Sequence, residues 1–101
     1  MPLEEYGFSL EFPQAWNEYN VKINDNHIYF GIPVQDSLFV ISVFFKDDWQ
    51  QIQSEEGPKP TYLNEDNQYV FGYSRAQDYV DTAIPRSKEV PVILSTFKFT
   101  N

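Results

Sequence analysis

Apolar and polar residues alternate along much of this chain, and the period of the alternation predicts its elements. In residues 8–12, Phe8, Leu10 and Phe12 share one side, while Ser9 and Glu11 share the other. That is the pattern of a strand with one wet face. Pro13 ends the strand, and Trp16 is expected to fold back over the apolar side. Residues 19–23 alternate again, with Tyr19, Val21 and Ile23 inward and Asn20 and Lys22 outward. Asn24, Asp25 and Asn26 then form a turn, because Asn and Asp tolerate left-handed backbone and bond to their own main chain. Residues 27–32 return as the second arm of a hairpin.

Residues 38–45 are the most apolar stretch, broken only by Ser42. A strand hydrophobic on both sides must be covered on both sides, so this one is expected at the centre of a sheet, with residues 33–37 as the preceding turn. Lys46, Asp47, Asp48 and Trp49 open a helix. Asp47 or Asp48 is a candidate N-cap, with Gln50 or Gln51 three residues on. Gly57 and the prolines at 58 and 60 stop it. Residues 64–67 read as a polar turn and 68–74 as a strand, with Tyr69, Phe71 and Tyr73 on one side and Val70 and Gly72 on the other. Residues 75–85 read as loop with a short helical turn. The last helix begins between Ser87 and Val90 with Pro91 in its first turn, where a missing N–H costs little. Val90, Ile93, Leu94 and Phe97 then fall at i, i+3, i+4 and i+7, one helical stripe. The whole is an α+β chain, a twisted, mainly antiparallel sheet of about five or six strands with helices packed on it.

Composition narrows the class. A chain of 101 residues fits one domain spanning 1–101. With 42% hydrophobic and 18% aromatic residues, it should fold rather than stay disordered. The net charge of −8 repels phosphate backbones, so no nucleic-acid partner is expected. Having no cysteine, the chain has no disulfide, thiolate nucleophile or Cys-bound zinc. No apolar run approaches the ~20 residues of a membrane span, so no membrane insertion by this chain is expected. The segment Pro2-Leu3-Glu4-Glu5 is acidic, through its two glutamates, where a signal peptide would be basic.

Candidate chemistry is sparse. His27 is the single histidine, and no motif sets a serine or carboxylate beside it. Adjacent acids at Glu4–Glu5, Asp47–Asp48, Glu55–Glu56 and Glu65–Asp66 lack the alternating ligands, glycine and closing glutamate of a calcium loop. No phosphate-binding glycine loop or nucleophile elbow is present. A non-enzymatic role without cofactor is therefore expected. Two features point to a partner. Tyr69, Tyr73 and Arg75 are of types enriched at binding hot spots, on a strand where Gly72 permits close approach. Glu55 and Glu56 sit near a helix C-terminal end, where negative charge is mildly unfavourable. Core packing is the competing reading for the tyrosines, with Gly72 making room for a helix; solvated surface is the competing reading for the glutamates. Fifteen acids against seven bases also leave open a small acidic inhibitor or nucleic-acid mimic, and scattered carboxylates leave open a hydrolase using a carboxylate pair.

Gly7-Phe8-Ser9, Pro13 and Trp16 near the start, with Glu89, Ile93-Leu94 and Thr96-Phe97-Lys98 at the close, resemble the PsbP/Mog1-like domains along the length of the chain. That family includes photosystem assembly factors, a nuclear GTPase-binding protein and small bacterial domains of extracytoplasmic lipoproteins. The resemblance implies a non-catalytic binding or scaffolding module that contacts a protein or cell-envelope component. It also implies an extracytoplasmic domain of a longer exported or anchored protein.

Overall fold

The computed structural model describes residues 2–3, 7–16, 18–57 and 59–99. Its centre is the longest apolar run. Strand β5 (Gln35–Phe45) is the middle of a five-stranded antiparallel sheet whose other members are β3 (Asn20–Asn24), β4 (His27–Ile32), β6 (Thr61–Glu65) and β7 (Tyr69–Arg75). The order is β3-β4-β5-β7-β6. Leu38, Phe39 and Ile41 are fully buried and Ser42 nearly so. Neighbouring residues of a strand point to opposite faces, so both faces of β5 are covered, as its composition requires. The fold is α+β.

The β3–β4 hairpin turns at Asp25 and Asn26, with Asp25 at φ 54°, a left-handed conformation that Asp tolerates. Ile23, expected inward, is 48% exposed, because it lies on the outer strand one residue from that turn. The turn before β5 is only Pro33 and Val34. Gln35 is drawn into the strand opposite Ile32, and its side-chain amide donates to the Asp78 carbonyl and accepts from the Val80 N–H, both at 3.0 Å. That amide pins the 78–80 loop to the sheet.

Two layers cover the sheet. Helix α1 (Lys46–Ser54) follows β5 without a loop. Its N-cap is therefore the last strand residue, Phe45, with no side-chain cap bond. Asp47 and Asp48 lie in the first turn, where they face the positive helix end without capping it. The helix ends at Ser54, earlier than Gly57. Trp49 lies over Gly72, where an added Cβ would sit 2.8 Å from its ring; the glycine makes room for the helix. On the other face, Phe71 and the rest of the core meet helix α3 (Val90–Ser95), which buries Val90, Ile93 and Leu94. The four-residue α2 (Ile84–Ser87) precedes it.

The N-terminal segment shares that face. Strand β2 (Phe8–Ser9) lies between β1 (Pro2–Leu3) and β8 (Lys98–Phe99) in a second small sheet. It is shorter than the expected 8–12 because β8 offers two residues to pair with. Beyond it the backbone N–H of Glu11 donates to Thr96 Oγ1 at 2.8 Å. Ser9, expected outward, is buried, flanked by a strand on either side. The Phe8 ring stacks on Phe97 at 4.9 Å and meets Phe71 edge-on at 5.6 Å. Trp16, on a short 3-10 turn, is 1% exposed and packs against Phe39. Its indole N–H donates to Glu89 Oε1 at 3.1 Å, and Arg86 Nε approaches the same oxygen at 2.7 Å.

Two substitutions test this core. Ile41→Asp buries an unpaired charge, a cost of several kcal/mol against a stability of about 5–15 kcal/mol for such a domain; loss of the cooperative urea transition is expected, and a wild-type midpoint would contradict the placement of β5. Gly31→Ala sets a Cβ 1.9 Å from the Asp36 carbonyl oxygen. That neighbour is backbone and must move, so denaturation should show a loss of about 1–3 kcal/mol.

Candidate functional site

Alternation along β7 sends Tyr69, Phe71, Tyr73 and Arg75 to one face and Val70 and Gly72 to the other. Phe71 is fully buried, whereas Tyr69 and Tyr73 are half-buried against the core. Tyr69 begins the strand and packs on Phe45 at 5.2 Å. Its backbone N–H and that of Gln68 both donate to Asp66 Oδ1, at 2.7 and 2.8 Å, so one carboxylate shapes the β6–β7 turn.

At the other end of β7 the structure joins Tyr73 and Arg75 to residues whose proximity the sequence pattern does not reveal. They line a groove of about 300 Å³ together with Tyr62 and Leu63 from β6 and Pro91, Leu94 and Ser95 from α3. Arg75 Nη2 donates to the Ser87 carbonyl at 2.7 Å, which holds the guanidinium toward α2 and the start of α3. Val92, the residue after Pro91, is 59% exposed. It lies off the helical stripe of Val90, Ile93 and Leu94. Strand β6 has no alternating signal in the sequence: its apolar residues Tyr62 and Leu63 are adjacent.

Glu55 and Glu56 are exposed and lie past the end of α1. That helix packs on the Gly72 face, so the two glutamates are not brought together with Tyr73 and Arg75.

His27 has a partner no motif announced. Its Nδ1 lies 2.6 Å from Ser42 Oγ, across the β4–β5 register pair His27–Ser42. Ser42 is 4% exposed. A buried hydroxyl needs a hydrogen bond, and His27 supplies it in either protonation state, since a hydroxyl both donates and accepts.

Among the described residues, no group of three or more His, Asp or Glu side chains is placed to hold a metal ion. Glu65 and Asp66 do line one surface hollow, with Asn67, Gln68 and Phe99. Glu65 is engaged on both oxygens, by Lys46 Nζ at 2.9 Å and by the Tyr62 hydroxyl at 3.0 Å. The Lys46 contact, then the Tyr62 bond, hold its carboxyl below the ordinary glutamate range. The same bond lifts the Tyr62 phenol above its usual value. The Lys46–Glu65 ion pair links the start of α1 to β6.

The direction of the Glu65 shift fixes a pH dependence. A carboxyl lowered in the folded state adds stability in full above the ordinary glutamate pKa of about 4.3, and that contribution is lost as pH falls through the folded value. The exposed setting keeps the effect small. NMR titration of the Glu65 carboxyl carbon should show a midpoint below that of a free glutamate, and Lys46→Met should raise it; an unmoved midpoint would show that Lys46 is not the cause.

Comparison with protein-family models, with curated proteins and with solved structures finds no match to this chain.

Proposed function

We propose that the chain is a non-catalytic binding module that holds a protein or cell-envelope partner in the groove between the β6–β7 edge and α3. The observation that carries this reading is the groove itself: Tyr73 and Arg75 converge there with apolar residues of α3, beside a strand that has no outer neighbour among the described residues. Tyr and Arg in such a setting supply large contact area and directional hydrogen bonding.

We assign the fold to the PsbP/Mog1-like type. Support comes from the residues that carry the resemblance. Trp16 meets Glu89, Thr96 meets Glu11, and Phe8 meets Phe97, so the two ends of the chain form one unit. The extracytoplasmic placement rests on that same resemblance.

The arrangement of charge favours docking over nucleic-acid mimicry. Antiparallel topology puts Asp25, Asp47, Asp48, Glu65 and Asp66 at the sheet end that carries the β3–β4 and β6–β7 turns. Asp36, Asp78 and Asp81 lie at the opposite end, near the β4–β5 turn. A mimic needs a continuous row of carboxylates at phosphate-like spacing.

A photo-crosslinking amino acid at Ser95, an exposed residue that lines the groove, should give a discrete adduct in cells of the native host. The same group at Gln50, an exposed position of α1, which packs on the other face, should give none. Equal adducts at both positions, or none at Ser95, would sink the reading.

A further inference from the structure

Strand β6 ends the sheet on one side and β3 on the other, and a terminal strand displays unpaired N–H and C=O groups. The two edges are guarded differently. Strand β3 carries Lys22, which is paired with Asp36 at 3.3 Å, and a lysine on an edge strand discourages further pairing. Strand β6 has no lysine in its five residues. It has a bulge instead: Tyr62 faces Gly72 and Asn64 faces Phe71, which leaves Leu63 as the extra residue. A bulge re-aims side chains, and here two consecutive residues, Tyr62 and Leu63, both line the groove. The free edge and the apolar groove therefore lie side by side.

Arg75 sets the chemistry at one end. Among the described residues it is the only charged one lining the groove. Among the described residues, carboxylates pair with Lys22, Lys46 and Arg86, and none pairs with Arg75, in a chain with fifteen acids and seven bases. A guanidinium has five N–H donors. One is held by the Ser87 carbonyl at 2.7 Å, which orients the rest. The net charge of −8 draws basic molecules at long range, but salt screens that field beyond about 8–10 Å, so the local cation decides what sits on it.

We propose that the occupant of the groove is an extended peptide that adds to the free edge of β6 as a sixth strand, sets an apolar side chain into the groove and places a carboxylate on Arg75. Main-chain bonding to an edge supplies affinity, and the pocket for alternate side chains supplies selectivity. This rests on the docking reading above and deepens it by naming the partner's chemistry.

The test uses the chain labelled with ¹⁵N and two acetylated synthetic peptides of alternating valine and threonine, one ending in aspartate amide and one in lysine amide. Binding of the aspartate peptide should shift amides of β6, β7 and α3 and slow hydrogen exchange along β6. It should bind at least about tenfold more tightly than the lysine peptide, the scale of one charge-assisted contact. Arg75→Gln should remove that preference while leaving the β6 shifts in place, and Leu63→Pro should abolish both. Equal binding of the two peptides would overturn the carboxylate assignment while leaving the groove as a docking site. Shifts confined to β3, or no shifts at all, would overturn the edge assignment. Protection of β6 that grows with protein concentration in the absence of peptide would assign the edge to a second copy of the chain and overturn the proposal.

Discussion

The structure depends on the closure of the chain's two ends over one face of the sheet. That face presents Ile28, Phe30, Phe39, Ile41 and Phe71, all fully buried. Helix α3 has six residues, about 9 Å of length, and is too short to cover five strands. The remainder is covered by Phe8, Leu10 and Trp16 from the N-terminal segment. Magnitudes separate the contributions. Removing a fully buried Phe or Trp side chain typically costs about 3–5 kcal/mol, whereas one net hydrogen bond contributes about 1 kcal/mol. Burial of Trp16 therefore stabilises the closure, and its bond to Glu89 orients it. The carboxylate is shared with Arg86, so the same contact sets where the α2–α3 region begins.

The opposite face is organised by polar satisfaction and close approach. Ser42 interrupts an otherwise apolar run and would cost stability if left unbonded in the interior; His27 removes that cost. Gly72 lies on this face between the aromatic positions of β7, and the Trp49 ring fills the space above it. Ser42 is thus satisfied within the sheet by β4, and Gly72 is the point where α1 makes contact. Helix α1 buries no residue fully and is held by Trp49, by the Phe44–Trp49 ring contact at 5.6 Å and by the Lys46–Glu65 ion pair.

What could be read in advance follows from which elements have a local signature. The central strand was legible because an apolar run on both faces has few alternatives, and α3 because Val90, Ile93 and Leu94 keep a helical period around Pro91; Phe97, the fourth residue of that stripe, lies beyond the helix, which ends at Ser95. The hairpin turn was legible because Asn and Asp bond to their own backbone. Strand β6 was hidden by its bulge, which places Tyr62 and Leu63 on one groove and cancels the period-two signal. The N-cap of α1 was misread because two aspartates at a helix start look alike whether they cap it or only face its dipole; the absence of a loop after Phe45 decides the matter, and that is a tertiary fact. In the groove, Tyr73 and Arg75 stand out along β7, but Pro91, Leu94 and Ser95 join them only through the docking of α3. Glu55 and Glu56 show the limit of charge alone, since their sign carries no information about the face on which α1 packs.

The closure and the groove have a common origin. Trp16 bonds Glu89, and Arg75 bonds Ser87. These two contacts fix the chain just before α3 from opposite sides, one through the N-terminal segment and one through β7. From that anchor α3 crosses the sheet face and buries Ile93 and Leu94. It ends at Ser95, because Thr96 is drawn away to Glu11 and Phe97 and Phe99 are committed to Phe8 and Phe71. No residue is left to extend the helix over the outermost strand. The hollow between α3 and β6 is therefore a consequence of how the ends are tied. Lengthening α3 to fill it would require giving up the contacts that hold Phe8 over the core. The same geometry that closes the hydrophobic face leaves one edge of it open.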